Sequence, residues 1–244
     1  MSIKIVILII VIILLFLLYH KLNLQETFQN QEKINIIQTW KDSNIPEKYQ
    51  PFVNQVKKMN PNSNYMFFSD EDINNFIFSK FPQYYKIFQN FPYIIQKIDF
   101  FRYLAVYYYG GVYLDLDFKN FKSFDNINRS QCVFPLEYMN NNDDILKRQG
   151  FKGLIGNYAF YAPKNHAFIK KIIDNIVNNR IQNVDKQYKN NKNKYVFYKT
   201  GPVLVTQSYI DFKEKQNIEI IKPKPFQKYY FGDYGKHYLM GSWK

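Results

Sequence analysis

Two carboxylates one residue apart, Asp115 and Asp117, close the run Tyr108-Tyr109-Gly110-Gly111-Val112-Tyr113-Leu114-Asp115-Leu116-Asp117. Val112, Tyr113 and Leu114 are good strand formers. Side chains alternate along a strand, so Asp115 and Asp117 point to one side while Leu116 points into the core. Like charges held this close repel. A hard divalent cation relieves the repulsion, and carboxylate oxygens suit Mg²⁺, Mn²⁺ or Ca²⁺. Gly110 and Gly111 allow a tight backbone with φ > 0 and a close approach of main chain to a ligand.

A helix predicted over Tyr93–Tyr109 leads into this run, because Ile94, Ile98, Phe101, Ala105 and Tyr108 recur at helical spacing. Asp99 and Arg102 lie three apart and share a face. They form either an exposed helix ion pair, worth ~0.3–0.5 kcal/mol, or a pair facing a ligand crevice. In the second case Arg102 contacts phosphate or holds Asp99, and Asp99 accepts from a ribose or sugar hydroxyl. The position of the helix, directly before the glycines, supports the crevice.

The remaining elements frame that helix and strand. Ile34 to Trp40 is a first buried strand, and ligands of open α/β sheets sit at the carboxyl ends of strands. Thr39 and Trp40 therefore fall near a ligand, with Trp40 either stacking on a base or filling the core. A helix follows over Tyr49–Met59, then a strand over Tyr65–Phe68, with Ser69 capping the next helix. Cys132–Phe134 is a strand. Gly153–Pro163 reads as another, with Asn157 placed to meet a polar ligand. His166 starts a helix that runs to about Asn178, in a capping or packing role. Residues 185–194 read as a surface loop, and Asn140–Gly150 as a polar one. Thr200-Gly201-Pro202 opens a helix, and Ile218–Ile221 is a strand. The sequence closes on His237 and Gly241-Ser242-Trp243.

The 244 residues suffice for one domain with a full core, and a hydrophobic fraction of 46% places the chain among those that fold. The net charge of +13 is spread over the sequence without a helical stripe, and no nucleic-acid-binding module is present. The single cysteine, Cys132, excludes an internal disulfide and a thiolate zinc site. Asn128-Arg129-Ser130 is a formal glycosylation sequon. Ile5–Tyr19 is uncharged and mostly aliphatic, flanked by Lys4 and His20-Lys21. As a helix it spans roughly 22 Å, and Lys4 and Lys21 can snorkel to lengthen it. No small-residue cleavage pattern follows. The organisation expected is an N-terminal signal anchor over 1–21, a polar stem over 22–33 and a catalytic domain over 34–244.

The ordered motifs resemble glycosyltransferase family 32, the DXD-motif sugar transferases. The resemblance is carried by Ile36-Ile37-Gln38-Thr39-Trp40, Asp99-Phe100-Phe101-Arg102-Tyr103, Tyr109 to Asp117, Asn157 to Pro163, Thr200-Gly201-Pro202, and His237 with Gly241-Ser242-Trp243. One departure is Ile37, which stands where relatives often have a histidine before Gln-Thr-Trp. The resemblance implies an α/β fold of the GT-A, Rossmann-like type with a mixed central sheet. It also implies a nucleotide-sugar donor (GDP-mannose, with UDP-sugars as the alternative), Mn²⁺ or Mg²⁺, and retention of anomeric configuration. The acceptor implied is a glycan or a sphingolipid-type glycolipid. Asp117 is then the direct metal ligand. Asp115 is a partner that binds through water or instead holds ribose, and His237 is a third ligand. Thr39 and Trp40 take the nucleotide, Asp99 and Arg102 the sugar and phosphates, and Ser242 and Trp243 close over the donor, which Gly110, Gly111 and Asn157 also line. The setting expected is a single-pass membrane protein of the secretory pathway. Two rival readings are a non-catalytic, membrane-anchored sugar- or lipid-binding protein on the same fold, and a nucleotidyltransferase.

Overall fold

The computed structural model describes residues 12–20, 32–138, 153–224 and 228–241. The chain divides into two units, Met1–Lys33 and Ile34–Lys244. In the first, residues 12–20 are helical with exposed side chains. Among the described residues no helix is long and apolar enough to cross a membrane. The remainder of the expected anchor and most of the stem lie outside the described residues, as does the polar loop expected over 140–150.

The second unit is an α/β fold on a mixed sheet. Strand β1 (Asn35–Thr39) pairs in parallel with β2 (Asn64–Phe68) on one side and β3 (Gly111–Leu114) on the other. Beyond β3 the sheet turns antiparallel through β7 (Ala159–Ala162) and β5 (Cys132–Tyr138), giving the order β2-β1-β3-β7-β5-β6 with β6 at Gly153–Ile155. β8 (Ile218–Ile221) pairs in parallel with β5. A three-stranded antiparallel sheet, β4 (Phe118–Asn120), β10 (Gly235–His237) and β9 (Tyr230–Phe231), begins four residues after β3 and returns the last strand of the chain to the end of β3.

Helices α1 (Gln50–Met59), α2 (Asp70–Lys80) and α3 (Pro82–Gln89) follow the first two strands. Ser69 and Asp72 make a reciprocal capping box at the start of α2. Helix α4 (Ile94–Tyr109) is the spine of the unit. Phe100, Phe101, Tyr103, Leu104, Ala105 and Val106 are fully buried, which is the mark of a helix packed on nearly every side. Helices α5 (Ala167–Val177), α6 (Lys192–Lys199) and α7 (Pro202–Asp211) complete the layer. His166 caps α5 by accepting from the Phe168 amide, and Pro202 opens α7.

Two expectations change. Residues 153–163 form two strands instead of one. The chain breaks at Gly156, where any Cβ would meet the Glu137 carboxylate at 2.5 Å and the Tyr158 ring at 2.7 Å. The surface loop expected over 185–194 is helical at both ends: 185–187 lie in a short helical turn, Val184–Gln187, and 192–194 belong to α6, because Asn191 caps it by accepting from the Lys194 amide and Tyr195, Phe197 and Tyr198 pack with Val184 and Val203.

Helix α4 passes into β3 through glycines with no substitute. Gly110 sits at φ +70° and Gly111 at φ +110°. A Cβ on Gly111 would collide with the carbonyl oxygen of Asn35, while Asn35 Nδ2 donates to the Tyr109 carbonyl at 3.0 Å. Gly111→Ala is expected to lose about 3 kcal/mol or more, since backbone has to move on both sides of the contact. A thermal melt reads the loss, and an unchanged Tm would refute this account. Cys132 is buried beside His166, Sγ to Nδ1 2.9 Å, and burial pushes its thiol well above the usual range. Iodoacetamide is expected to leave it unmodified in the native protein and to label it after denaturation.

Candidate active site

The carboxyl ends of β1 and β3 and the approach to β7 meet at one edge of the sheet, and there the charged residues converge. The amide of Asp115 donates to the Tyr158 carbonyl at 2.8 Å, which extends the β3–β7 pairing one residue past the strand. Gln38 Nε2 donates to the Asp115 carbonyl at 3.3 Å, and Tyr65 donates its hydroxyl proton to Gln38 Oε1 at 3.0 Å. The backbone of Asp115 is thus held from both neighbouring strands.

Its side chain faces three partners. Tyr113 OH donates to Oδ1 at 2.9 Å, Arg102 lies 3.3 Å from the same oxygen, and His237 Nε2 lies 3.6 Å from Oδ2. Asp117 Oδ1 is 3.0 Å from His237 Nε2, its Oδ2 accepts from the Met240 amide at 2.7 Å, and its carbonyl accepts from the Tyr238 amide at 3.1 Å. The His237 ring stacks on Tyr158 at 4.6 Å and 14°. Burial raises the Asp115 carboxyl above its ordinary range, and the repulsion of Asp117 adds to this against the opposing charges of Arg102 and His237. Burial acts the same way on Asp117, but the hydrogen bond and charge of His237 and the Met240 amide outweigh it and hold the carboxyl low. For His237, burial opposes the charged form, and the bond to Asp117 with the nearby carboxylates overcomes it, so the imidazole is more basic than usual.

One donor atom from each of Asp115, Asp117 and His237 can be chosen so that all lie within 4.8 Å of one another. Two hard oxygens with one imidazole nitrogen suit Mn²⁺ or Mg²⁺. The same negative charge that makes His237 more basic than usual is what a cation would neutralise. The residues therefore fit a divalent cation.

Arg102 and Asp99 form the wall behind. Each is only 3% exposed, so the pair is not a surface ion pair. Arg102 reaches Asp99 Oδ1 at 3.2 Å, donates to the Asn157 carbonyl at 2.6 Å and stands 4.5 Å over the Tyr113 ring. Thr200 Oγ1 donates to Asp99 Oδ2 at 2.8 Å, and Asn157 Nδ2 donates to Asp99 Oδ1 and to the Tyr103 hydroxyl. Both oxygens of Asp99 thus accept hydrogen bonds within the protein, and its ion pair orients Arg102. Asn157 likewise spends its amide NH₂ and its main-chain carbonyl on the wall, and its side-chain oxygen makes no hydrogen bond among the described residues.

Thr39 ends β1 next to this cluster and is 9% exposed. Trp40 packs against Tyr49 at 5.1 Å, in a cluster with Phe52, Tyr65 and Leu116, and its indole N–H is buried without a partner. Ser242 and Trp243 lie outside the described residues. Three residues of the site carried no expectation of their own. Gln38 and Thr200 were noticed only as parts of motifs, although both are fully buried polar residues amid apolar ones. Tyr113 looked like an ordinary strand former.

Comparison with known proteins agrees with this geometry. Residues 46–134 match the family described as glycosyltransferase sugar-binding region containing DXD motif. An inositol phosphoceramide mannosyltransferase of Schizosaccharomyces pombe is 38% identical over 104 residues, covering 41% of this chain and 32% of the relative. A mannosyl phosphorylinositol ceramide synthase of Saccharomyces cerevisiae is 25% identical over 203 residues, 79% of this chain and 48% of the relative. The chain thus spans about a third to a half of the length of these relatives. Among solved structures, the ligand-free glycosyltransferase domain of the YGT toxin shares the fold, with TM-score 0.53 at 8% identity over 78% of this chain and 80% of that one. Residues 46–134, which hold Asp99, Arg102, Asp115 and Asp117, match the DXD-containing sugar-binding region of glycosyltransferases, and over part of its length the chain is similar to the inositol phosphoceramide mannosyltransferases.

Proposed function

We propose that residues 34–244 are a metal-dependent, retaining glycosyltransferase that moves mannose from GDP-mannose to a glycan or a sphingolipid-type acceptor. The observation that carries this reading is the convergence of Asp115, Asp117 and His237 beside a buried Arg102 at the end of β3. The donor and acceptor are suggested by what the relatives are named for. Residues 1–21, apolar between flanking cations, are assigned as a single-pass anchor of the secretory-pathway type and residues 22–33 as a stem.

When bound, a divalent cation at this site supplies positive charge to the diphosphate that leaves as the glycosidic bond breaks. Asp117 and Asp115 would hold it with His237, whose proton must leave first. Arg102, fixed by Asp99 and Asn157, directs permanent positive charge at the same leaving group. Its burial strengthens that effect, because little water screens it. Thr39 and Trp40 are assigned to the nucleotide, whereas Gly110 and Gly111 lie at the amino-terminal end of β3 against Lys164 and Asn35, away from the carboxylates, and shape the turn from α4 into the strand instead of lining the donor. Ser242 and Trp243 are assigned to covering the donor and excluding water. The leaving phosphate can accept the proton of the acceptor hydroxyl, which requires no nucleophile from the protein.

The test is incubation with GDP- and UDP-sugars and Mn²⁺, with free nucleoside diphosphate as the readout. Release of GDP from GDP-mannose is expected. Pyrophosphate instead would indicate a nucleotidyltransferase, and donor binding without turnover would indicate a binding protein on this fold.

A further inference from the structure

A third carboxylate stands on the same sheet edge and belongs to none of the groups above. Glu137 is the next-to-last residue of β5. Strands β3 and β5 are each antiparallel to β7, so they run the same way and their carboxyl ends lie on one edge. In sheet order that edge presents Thr39 and Trp40 after β1, Asp115 and Asp117 after β3, Asn157 and Tyr158 before β7, and then Glu137. Neighbouring strands are ~4.8 Å apart, which puts β5 about 10 Å beyond β3 on the side away from β1. With a nucleotide over β1 and its diphosphate over β3, the transferred hexose covers β7, and the next group to be reached lies over β5.

The local structure makes room for this side chain without a hydrogen-bond partner among the described residues. Gly156 leaves the space in which the Glu137 carboxylate and the Tyr158 ring meet. No described residue hydrogen-bonds the carboxylate. Burial pushes it up to about 7, with the charge of His237 opposing. Two further polar atoms nearby share the lack of a partner, the Tyr158 hydroxyl and His237 Nδ1, and both are buried. Tyr158 itself is 4% exposed and stacks on His237. Buried polar groups left without partners are costly in a folded protein. A polyol, whose hydroxyls both donate and accept, satisfies such a set at once.

We propose that Glu137, with Tyr158 behind it, is the acceptor subsite, in which the carboxylate accepts hydrogen bonds from the hydroxyls of a polyol acceptor such as a hexose or an inositol ring. The inference rests on the glycosyltransferase reading for the position of the donor. Glu137 lies outside residues 46–134, so the matched sugar-binding region does not include it.

The experiment uses the full chain saturated with GDP and Mn²⁺, and saturation-transfer NMR with methyl α-mannoside and myo-inositol as probes. Wild type is expected to transfer saturation to the ring protons of at least one probe. Glu137→Gln, which keeps the shape and removes the charge, is expected to weaken that binding about tenfold or more, as for loss of a charge-assisted hydrogen bond. Gly156→Ala, whose methyl lands on the carboxylate, is expected to do the same. Thermal melts of both variants separate this from unfolding. In turnover, Glu137→Gln is expected to raise the acceptor KM relative to the donor KM. No saturation of either probe in wild type, or equal binding in wild type and Glu137→Gln, overturns the subsite. Failure of wild type to release nucleoside diphosphate from any donor overturns the functional reading instead.

Discussion

Asp117→Ala is expected to lower metal-dependent release of nucleoside diphosphate by about 10³-fold or more, the scale of several kcal/mol of charge stabilisation. One carboxylate here serves two ends. Oδ1 meets His237, and Oδ2 holds the Met240 amide. Alanine removes both, so the loss combines a missing ligand with a loosened C-terminal segment. Asp117→Asn separates them, because the amide oxygen can still accept from Met240 while the charge is gone. The variant is expected to melt close to wild type and to be nearly as inactive as the alanine. Metal-dependent turnover at the wild-type level in either variant would remove Asp117 from the metal site and with it the main support for the proposed chemistry.

Arg102→Met has the largest expected effect on stability. Methionine retains much of the volume and leaves Asp99 and Asp115 facing each other without the cation between them. Removing one partner from a buried ion pair costs about 3–5 kcal/mol, and activity should fall with it. The deficit depends on pH in a stated direction. Burial already pushes the Asp99 carboxyl up to about 6, with Arg102 holding it down. Without Arg102 it rises further. A carboxyl whose folded value exceeds its unfolded value binds more protons when folded. Its contribution is then fully present below the unfolded value near 3.8 and is lost as pH rises through the folded one. Denaturant melts of Arg102→Met should therefore show greater stability at pH 4.5 than at pH 7.5, relative to wild type at each pH. A pH-independent deficit would mean that Asp99 is not the group left exposed to the loss.

The outline of the fold was legible where local signals were strong. Helix α4 announced itself by spacing, and its observed start at Ile94 differs from the expected one by a single residue. Ser69 capped α2 as its type and position suggested. The glycine pair pointed to positive φ, and both glycines have it. Signals that depend on tertiary neighbours were not legible. Nothing local distinguishes Gly156 as a break from a glycine within a strand, because the reason is the Glu137 carboxylate arriving from β5. Asp99 illustrates the same limit within the site. Its pairing with Arg102 follows from a separation of three residues, but its hydrogen bond from Thr200 spans 101 positions in the chain and has no local signal.

The pairing of β10 with β4 has a consequence for the order in which the molecule becomes complete. A ribosome delivers the chain from its N-terminus. By Ile221 every strand of the large sheet has been made, and so have Asp99, Arg102, Asp115, Asp117 and Thr200. His237 and the amides of Tyr238 and Met240 that hold Asp117 come afterwards. A nascent chain can complete the large sheet while it still lacks His237 and the C-terminal aromatics Phe231 and Tyr234 that pack on Phe124. The acidic pair is then held by Arg102 and Tyr113 alone, and the candidate third donor arrives with β10. A stop just before His237 would leave every strand of the large sheet in place and deprive Asp117 of its contacts to His237, Tyr238 and Met240.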